Sequence, residues 1–579
     1  MKRWLLRFWL GFLVALLVLV QQTPAQVCKV PSPQVQKIQA AVKYLRRLSL
    51  DLRGRAPSYA ELNKVVQQGH VDDSTIDDML NSDLFRLQMR EYLKDLLTLN
   101  ITDLRLQGGF RISPYVKINS KGEVAKRGET STLVIDRGTA GARAIMRGQA
   151  VHCLPEKARY DQKTGDLLCK IRGTSTYKSC LTAYNERRAG KKNVAQEGYV
   201  MVKPYWEKDP SKTVAVCGLA ALNKKQPKVG NTTYYCATDT SNHVGGRIHQ
   251  ILCGCGPNLE WCFRGGEGNT PDFGSMNTEI MTSMMEQTLR VMDKIVKDDK
   301  PYTDLLLTKD AEINGHLSHF INKNTRSANR LTLPSKKEFQ VPALPYYEGT
   351  KWVKFTRTTR EAGILTLPFF LFKYATNRGR LHRYHNAFLC QYFTPPAGGL
   401  PDPTNKCHQE PNLMKRCGCK FCHTTIEPEA SYWGRWQENA WFPLNATAFP
   451  KTSAACAKTT GSKPGYCKSL YMVEPKHKSE EAYRGQLLAY VFATPTMEQN
   501  ITKGPASLIQ RDINNGKIYS CAVKKMWSWY TGSDLQSQQD HVQNDLMHAF
   551  QSNKYSIKSL VKAIVKTEEY RHGFDSHQP

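Results

Sequence analysis

Apolar residues of the stretch 34–53 fall at Val35, Ile38, Val42, Leu45, Leu48 and Leu52, spacings of three and four that mark one helix face. Gly54 and Pro57 end that pattern. Ser58, with Glu61 three residues on, forms a capping box that starts a second helix. From Asp73 to Leu99 the pattern predicts further helix. Between 106 and 270 the period is lost: Gly, Thr, Val and Tyr become frequent, and short alternating runs such as Thr213-Val214-Ala215-Val216 predict strands. Helical period returns at Met276. Ile280, Met284, Val291 and Ile295 share one face, with Met281, Met285, Leu289 and Met292 beside it, and this methionine stripe reads as core packing rather than a metal box. Another helix is expected from Ala362 to about Tyr374. Prolines and glycines from Thr394 to Pro403 stop regular structure. The stretch from Cys521 to Arg571 reads as amphipathic helix, broken at Thr531-Gly532.

The first residues follow another logic. Lys2, Arg3 and Arg7 surround the start of an apolar run from Phe8 to Val20, and Thr23-Pro24-Ala25 closes it with small residues. That order predicts a secretory signal peptide cut near Ala25. The run is shorter than the roughly 20 residues that a spanning helix needs, which counts against the alternative, an uncleaved anchor.

Cysteine usage changes the picture in the same direction. The chain has 17 cysteines, which suits an oxidising compartment where disulfides persist, the periplasm or cell surface. Cys217 with Cys236, and Cys456 with Cys467, are sensible local staples, though sequence alone leaves the pairing open. The formal charge of +30 would attract acidic proteins, anionic polymers or membrane head groups. No zinc-finger, RRM or basic-helix pattern accompanies it, so nucleic acid is not the expected partner.

One peptide carries recognisable chemistry. Cys419-Lys420-Phe421-Cys422-His423 is C-x-x-C-H. Two thiols spaced within one helical turn can add to both vinyl groups of one haem as thioethers, and the adjacent imidazole then faces the iron; this is the attachment pattern of c-type haem. Cys419 and Cys422 are therefore the expected covalent anchors of a single haem c, and His423 its axial ligand. Pro428 follows on the same segment, and a backbone carbonyl near it is expected to orient the imidazole. Trp433, Trp436, Trp441 and Phe442 are either a haem wall or ordinary core. Two other readings of the peptide remain: a disulfide beside a chance histidine, and zinc held by Cys417, Cys419, Cys422 and His423. A thioredoxin-like redox pair would need a βαβ context that the sequence does not offer. For the sixth iron position, Met497 after Pro495 is the expected candidate on a loop, with Met472 and Met414 behind it. His385, His408 and His477 read as surface or satisfied polar residues.

The surroundings of this peptide resemble the Planctomycete-type cytochrome c family, multi-domain exported proteins built largely from domains of unknown function. The resemblance rests on Leu45-Arg46-Arg47-Leu48-Ser49-Leu50-Asp51-Leu52-Arg53-Gly54 with Pro57-Ser58, on Lys300-Pro301-Tyr302-Thr303-Asp304-Leu305-Leu306, and on Arg360-Glu361-Ala362-Gly363-Ile364-Leu365-Thr366. The C-x-x-C-H with Ile426-Glu427-Pro428, Gly504-Pro505-Ala506-Ser507-Leu508 and Trp529-Tyr530-Thr531-Gly532 extend it in the same order. Glu427 stands where that family has Asp, and Ser533 where it has Arg, so the likeness is to a distant branch. It implies haem and export, without a settled reaction.

These readings predict a mainly α, multi-domain chain with a disulfide-rich β or irregular insertion and a cytochrome-c-like haem segment. The expected divisions are 1–25 signal peptide, 26–105 helical, 106–270 insertion, 271–400 helical, 401–505 haem segment and 506–579 helical. The expected role is electron transfer or a redox subunit with an acidic partner protein. The alternatives are a surface module whose 106–270 insertion binds an anionic polymer, protein or membrane surface, and a haem enzyme with an open sixth position. No G-x-S-x-G, H-E-x-x-H or P-loop supports a second catalytic centre.

Overall fold

A computed structural model describes residues 32–101, 104, 111–112, most of 154–224 with short pieces on to 264, 276–324, 341–357, 361–394, 404–535 except three positions near 463, and 540–572. The expected signal peptide, the proline linker and much of the 106–270 insertion, with its Cys236, lie outside these residues. The described residues fall into two compact units divided between Phe85 and Arg86. They are mainly helical, with few and short strands.

The first unit is a cluster of helices, Pro33–Arg53, Tyr59–Gln68 and Asp73–Leu80. Leu45, Leu48 and Leu52 of the expected stripe are buried with Val65, Ile76 and Met79, whereas Val35, one turn from the N-terminus, is exposed. Gly54 ends the first helix in the left-handed region at φ 66°, which a glycine adopts without a Cβ penalty. The capping box forms as expected: Ser58 Oγ accepts from Glu61 N at 3.3 Å, and Glu61 Oε2 accepts from Ser58 N at 2.6 Å. The helix expected from Asp73 to Leu99 is interrupted. It stops at Leu80 and restarts as Asp83–Leu96, because Ser82 Oγ bonds Met79 O and then accepts from Phe85 N.

In the second unit the helix Met276–Lys297 has the span expected from its period. Met276, Ile280, Met281, Met284, Leu289, Val291, Met292 and Ile295 are buried, so the methionine stripe is core. On its outer side Arg90 bridges Glu286 and Asp293, with nitrogen–oxygen distances of 2.9 and 2.5 Å. The single helix expected over Ala362–Tyr374 is instead a 3-10 turn, Gly363–Thr366, followed by Pro368–Lys373. Leu367 between them is extended, as a residue before proline prefers.

Within the insertion, Leu167–Ile171 pairs antiparallel with Arg159–Tyr160, Tyr177–Ser179 and Ala195–Gln196. A disulfide between Cys169 and Cys180 staples this sheet, and Val214–Cys217 pairs antiparallel with Tyr199–Val202. Cys390 pairs with Cys521, Cys407 with Cys417, and Cys456 with Cys467. Such bonds persist where thiols are not kept reduced. Among the described residues no helix is long and apolar enough to cross a membrane.

Candidate functional site

The C-x-x-C-H peptide opens the helix Lys420–Ala430, with Cys419 at its N-cap. The Cys419 carbonyl accepts from the backbone N–H of Cys422 at 3.2 Å and of His423 at 3.0 Å. Both cysteines therefore sit on the first turn, with the imidazole next to them. Cys419 and Cys422 are unpaired and partly exposed. Cys390, Cys407, Cys417, Cys456, Cys467 and Cys521, which surround them in sequence, all form disulfides. The disulfide reading of this peptide thus finds its two thiols unbonded. The zinc reading loses Cys417, which is bonded to Cys407, and no described group of three His, Cys, Asp or Glu side chains is placed to hold a metal ion. Turns, not a strand, precede the helix, so a thioredoxin-like context is absent there.

His423 is oriented by a neighbour that sequence reading missed. Its Nδ1 lies 2.5 Å from Glu427 Oε1, one turn on along the same helix. Arg378 grips the same carboxylate with Nε at 2.6 Å and Nη2 at 3.2 Å. The expected acceptor is a backbone carbonyl near Pro428; Nδ1 meets the Glu427 side chain instead, and the Pro428 carbonyl accepts from Ser431 Oγ at 2.5 Å and Asn500 Nδ2 at 3.0 Å. The i, i+4 spacing of His423 and Glu427 was the available signal. Holding Nδ1 leaves Nε2 as the nitrogen for a metal, the usual division of labour in a histidine ligand.

A second histidine–carboxylate pair stands two residues further on. His385 Nε2 is 2.6 Å from Glu429 Oε2, Glu429 Oε1 is 2.8 Å from Arg511, and Arg511 also meets Asp512. Tyr384 Oη donates to Asp512 Oδ2 at 3.0 Å. Burial pushes the Glu429 carboxyl up, but the His385 hydrogen bond and the Arg511 charge outweigh it and hold the carboxyl below its usual range. Burial and Asp512 push the Tyr384 phenol well up. Of the two expected readings, surface or satisfied polar, His385 takes the second: it is 3 % exposed with Nε2 bonded to Glu429, on a π turn, His385–Leu389, that ends at Cys390. Single π turns inside helices often mark functional segments. The Phe393 ring stacks on His385 with centroids 4.9 Å apart, and Thr394 O receives the Cys422 thiol at 3.7 Å. This segment thus joins the histidine network to the cysteine pair.

Met497 is placed differently from the expectation. Thr494 caps the helix Pro495–Lys503, Pro495 occupies its first position, and Met497 sits in the first turn, 5 % exposed. Proline starts this helix rather than opening a loop, because its missing N–H is not needed there. Met472 and Met414 are partly exposed. Trp433, Trp436, Trp441 and Phe442 are buried, Trp433 beside Tyr384 and Trp441 beside Phe320. His477 is exposed and caps the turn Lys478–Tyr483. No family model, no curated protein and no solved structure matches the chain.

Proposed function

We propose that the chain is an exported electron-transfer or redox protein with one haem c attached at Cys419 and Cys422 and ligated by His423. The observation that carries this reading is the sparing of the two thiols. In a segment whose other cysteines are paired, the two left reduced are those of C-x-x-C-H, one turn apart, with an imidazole whose Nδ1 is already held. When bound, the haem supplies a one-electron carrier whose potential follows its axial ligands and their hydrogen bonds.

This chain's own residues do the rest. Glu427, itself clamped by Arg378, fixes the ring plane and tautomer of His423. The disulfide Cys407–Cys417 tethers the turn just before the motif. Pro428 ties the motif helix to the helix of Met497 through Asn500, and Met497 is the candidate thioether for the second axial position. The basic surface suits an acidic redox partner.

Export of the chain into a periplasm equipped for haem maturation tests the reading. A pyridine haemochrome of c type from the denatured protein is the expected result, lost when Cys419 and Cys422 are both replaced by alanine. A protein without haem, with both thiols free to alkylation, would refute the proposal.

A further inference from the structure

The network around His385 holds an uneven number of charges inside the protein. Arg511 lies 2.8 Å from Glu429 Oε1 and, through Nε, 2.9 Å from Asp512 Oδ1. One guanidinium thus serves two carboxylates. By formal charge the set sums to one negative charge when His385 is neutral, and a proton on His385 cancels it. The two ring nitrogens of His385 are unequal. Nε2 is tied to Glu429, whereas Nδ1 is buried without a hydrogen-bond partner among the described residues. Buried polar atoms normally find partners, so this exception calls for a role. Proton uptake at Nδ1 breaks no bond, because Nε2–H donates to Glu429 in either state and donates more strongly from an imidazolium.

The elements packed on this set leave its charge standing. Tyr384 and Tyr432 are phenols that burial pushes up and keeps neutral. Arg380, on the helix Asn377–Tyr384, is buried against the carbonyls of Trp436, Gln437 and Ala440, and Arg383 turns to those of Asp95 and Leu96. On the motif helix Glu427 is taken by Arg378 and His423. The helix Lys517–Thr531 meets the π turn through the disulfide of Cys521 with Cys390, and its Lys525 turns to the exposed Tyr392. His382 lies across the Phe393 ring, with centroids 6.2 Å apart.

Two contacts join the set to the attachment site. Phe393 stacks on His385, and the carbonyl of the next residue, Thr394, receives the Cys422 thiol. We infer that His385 takes up a proton as the haem gains an electron, an inference that rests on haem attachment at Cys422. One electron comes from a donor protein and one proton from water. The electron removes a positive charge beside the set, and its negative charge then draws the proton. Oxidation releases both. The path to water is the Glu429–Arg511 end, where the side chains are 17 % and 42 % exposed.

Spectroelectrochemical titration of the haem-loaded full chain, from about pH 5 to about pH 9, tests the coupling once a c-type haemochrome has shown the haem in place. The midpoint potential should fall as the pH rises, by at most about 59 mV per unit, the limit for one proton per electron. His385→Gln keeps the negative charge, so it should flatten the profile near the wild type's high-pH potential. Glu429→Gln removes that charge and should flatten it near the low-pH potential. Disturbed packing alone would not send the two variants in opposite directions, and either one suffices where the other does not load haem. His382→Gln should leave the slope unchanged. A flat wild-type profile, a slope that survives both substitutions, or a slope lost with His382 would overturn the inference alone. Absence of the haemochrome would overturn it together with the haem reading.

Discussion

Glu427 Oε1 lies 2.5 Å from Nδ1 of His423, one turn along the helix that begins at Cys419. A carboxylate acceptor gives the imidazole more anionic character than a backbone carbonyl would. In the haem-loaded protein a stronger donor favours the oxidised iron. Glu427→Ala should therefore leave covalent attachment intact and raise the midpoint potential by tens of millivolts, read by spectroelectrochemical titration. An unchanged potential would detach Glu427 from this role.

The Glu429 carboxyl sits below its ordinary value of 4.5 in the folded chain. A depressed carboxyl adds stability above its unfolded value and loses it as the pH falls through the folded one. The difference in urea unfolding free energy between wild type and Glu429→Gln should accordingly be largest above about pH 5 and shrink on acidification. A difference that grows toward low pH would contradict the ion-pair account of His385, Glu429 and Arg511.

Disulfide removal should scale with the loop each bond closes. Cys390–Cys521 spans 131 residues and Cys456–Cys467 spans 11. Loop-entropy arithmetic gives about 5 kcal/mol for the first and about 3 kcal/mol for the second, as upper values. Replacing Cys390 and Cys521 by serine should lower stability about 2 kcal/mol more than the same change at Cys456 and Cys467, measured by chemical denaturation.

Met497→Ala separates packing from ligation. Its burial predicts a loss of about 2–5 kcal/mol of stability. Ligation predicts in addition the loss of the weak near-infrared Met-to-iron band and new carbon monoxide binding by the reduced protein. A stability loss with an unaltered spectrum assigns Met497 to the core alone.

The helices that sequence reading found are those whose burial is one-sided and continuous, such as Met276–Lys297, and those with a chemical start, such as the Ser58–Glu61 box. It went wrong where one side chain rewrote the backbone locally: Ser82 capping in mid-helix, Leu367 extended before Pro368, Pro495 starting a helix instead of opening a loop. At the candidate site the cysteines and His423 were legible because their spacing is local. The His385–Glu429–Arg511 network was not, since those residues lie 44 and 82 positions apart in the chain.

The bond between Cys390 and Cys521 has a consequence for biosynthesis. After Cys390 a growing chain exposes Cys407, Cys417, Cys419, Cys422, Cys456 and Cys467 before Cys521, its true partner. Every earlier arrival is a wrong partner within reach, and two of them are Cys419 and Cys422, which are unpaired in the folded chain. Correct pairing therefore demands that oxidation be slow, or reversible through an isomerase, until the helix Lys517–Thr531 has been made.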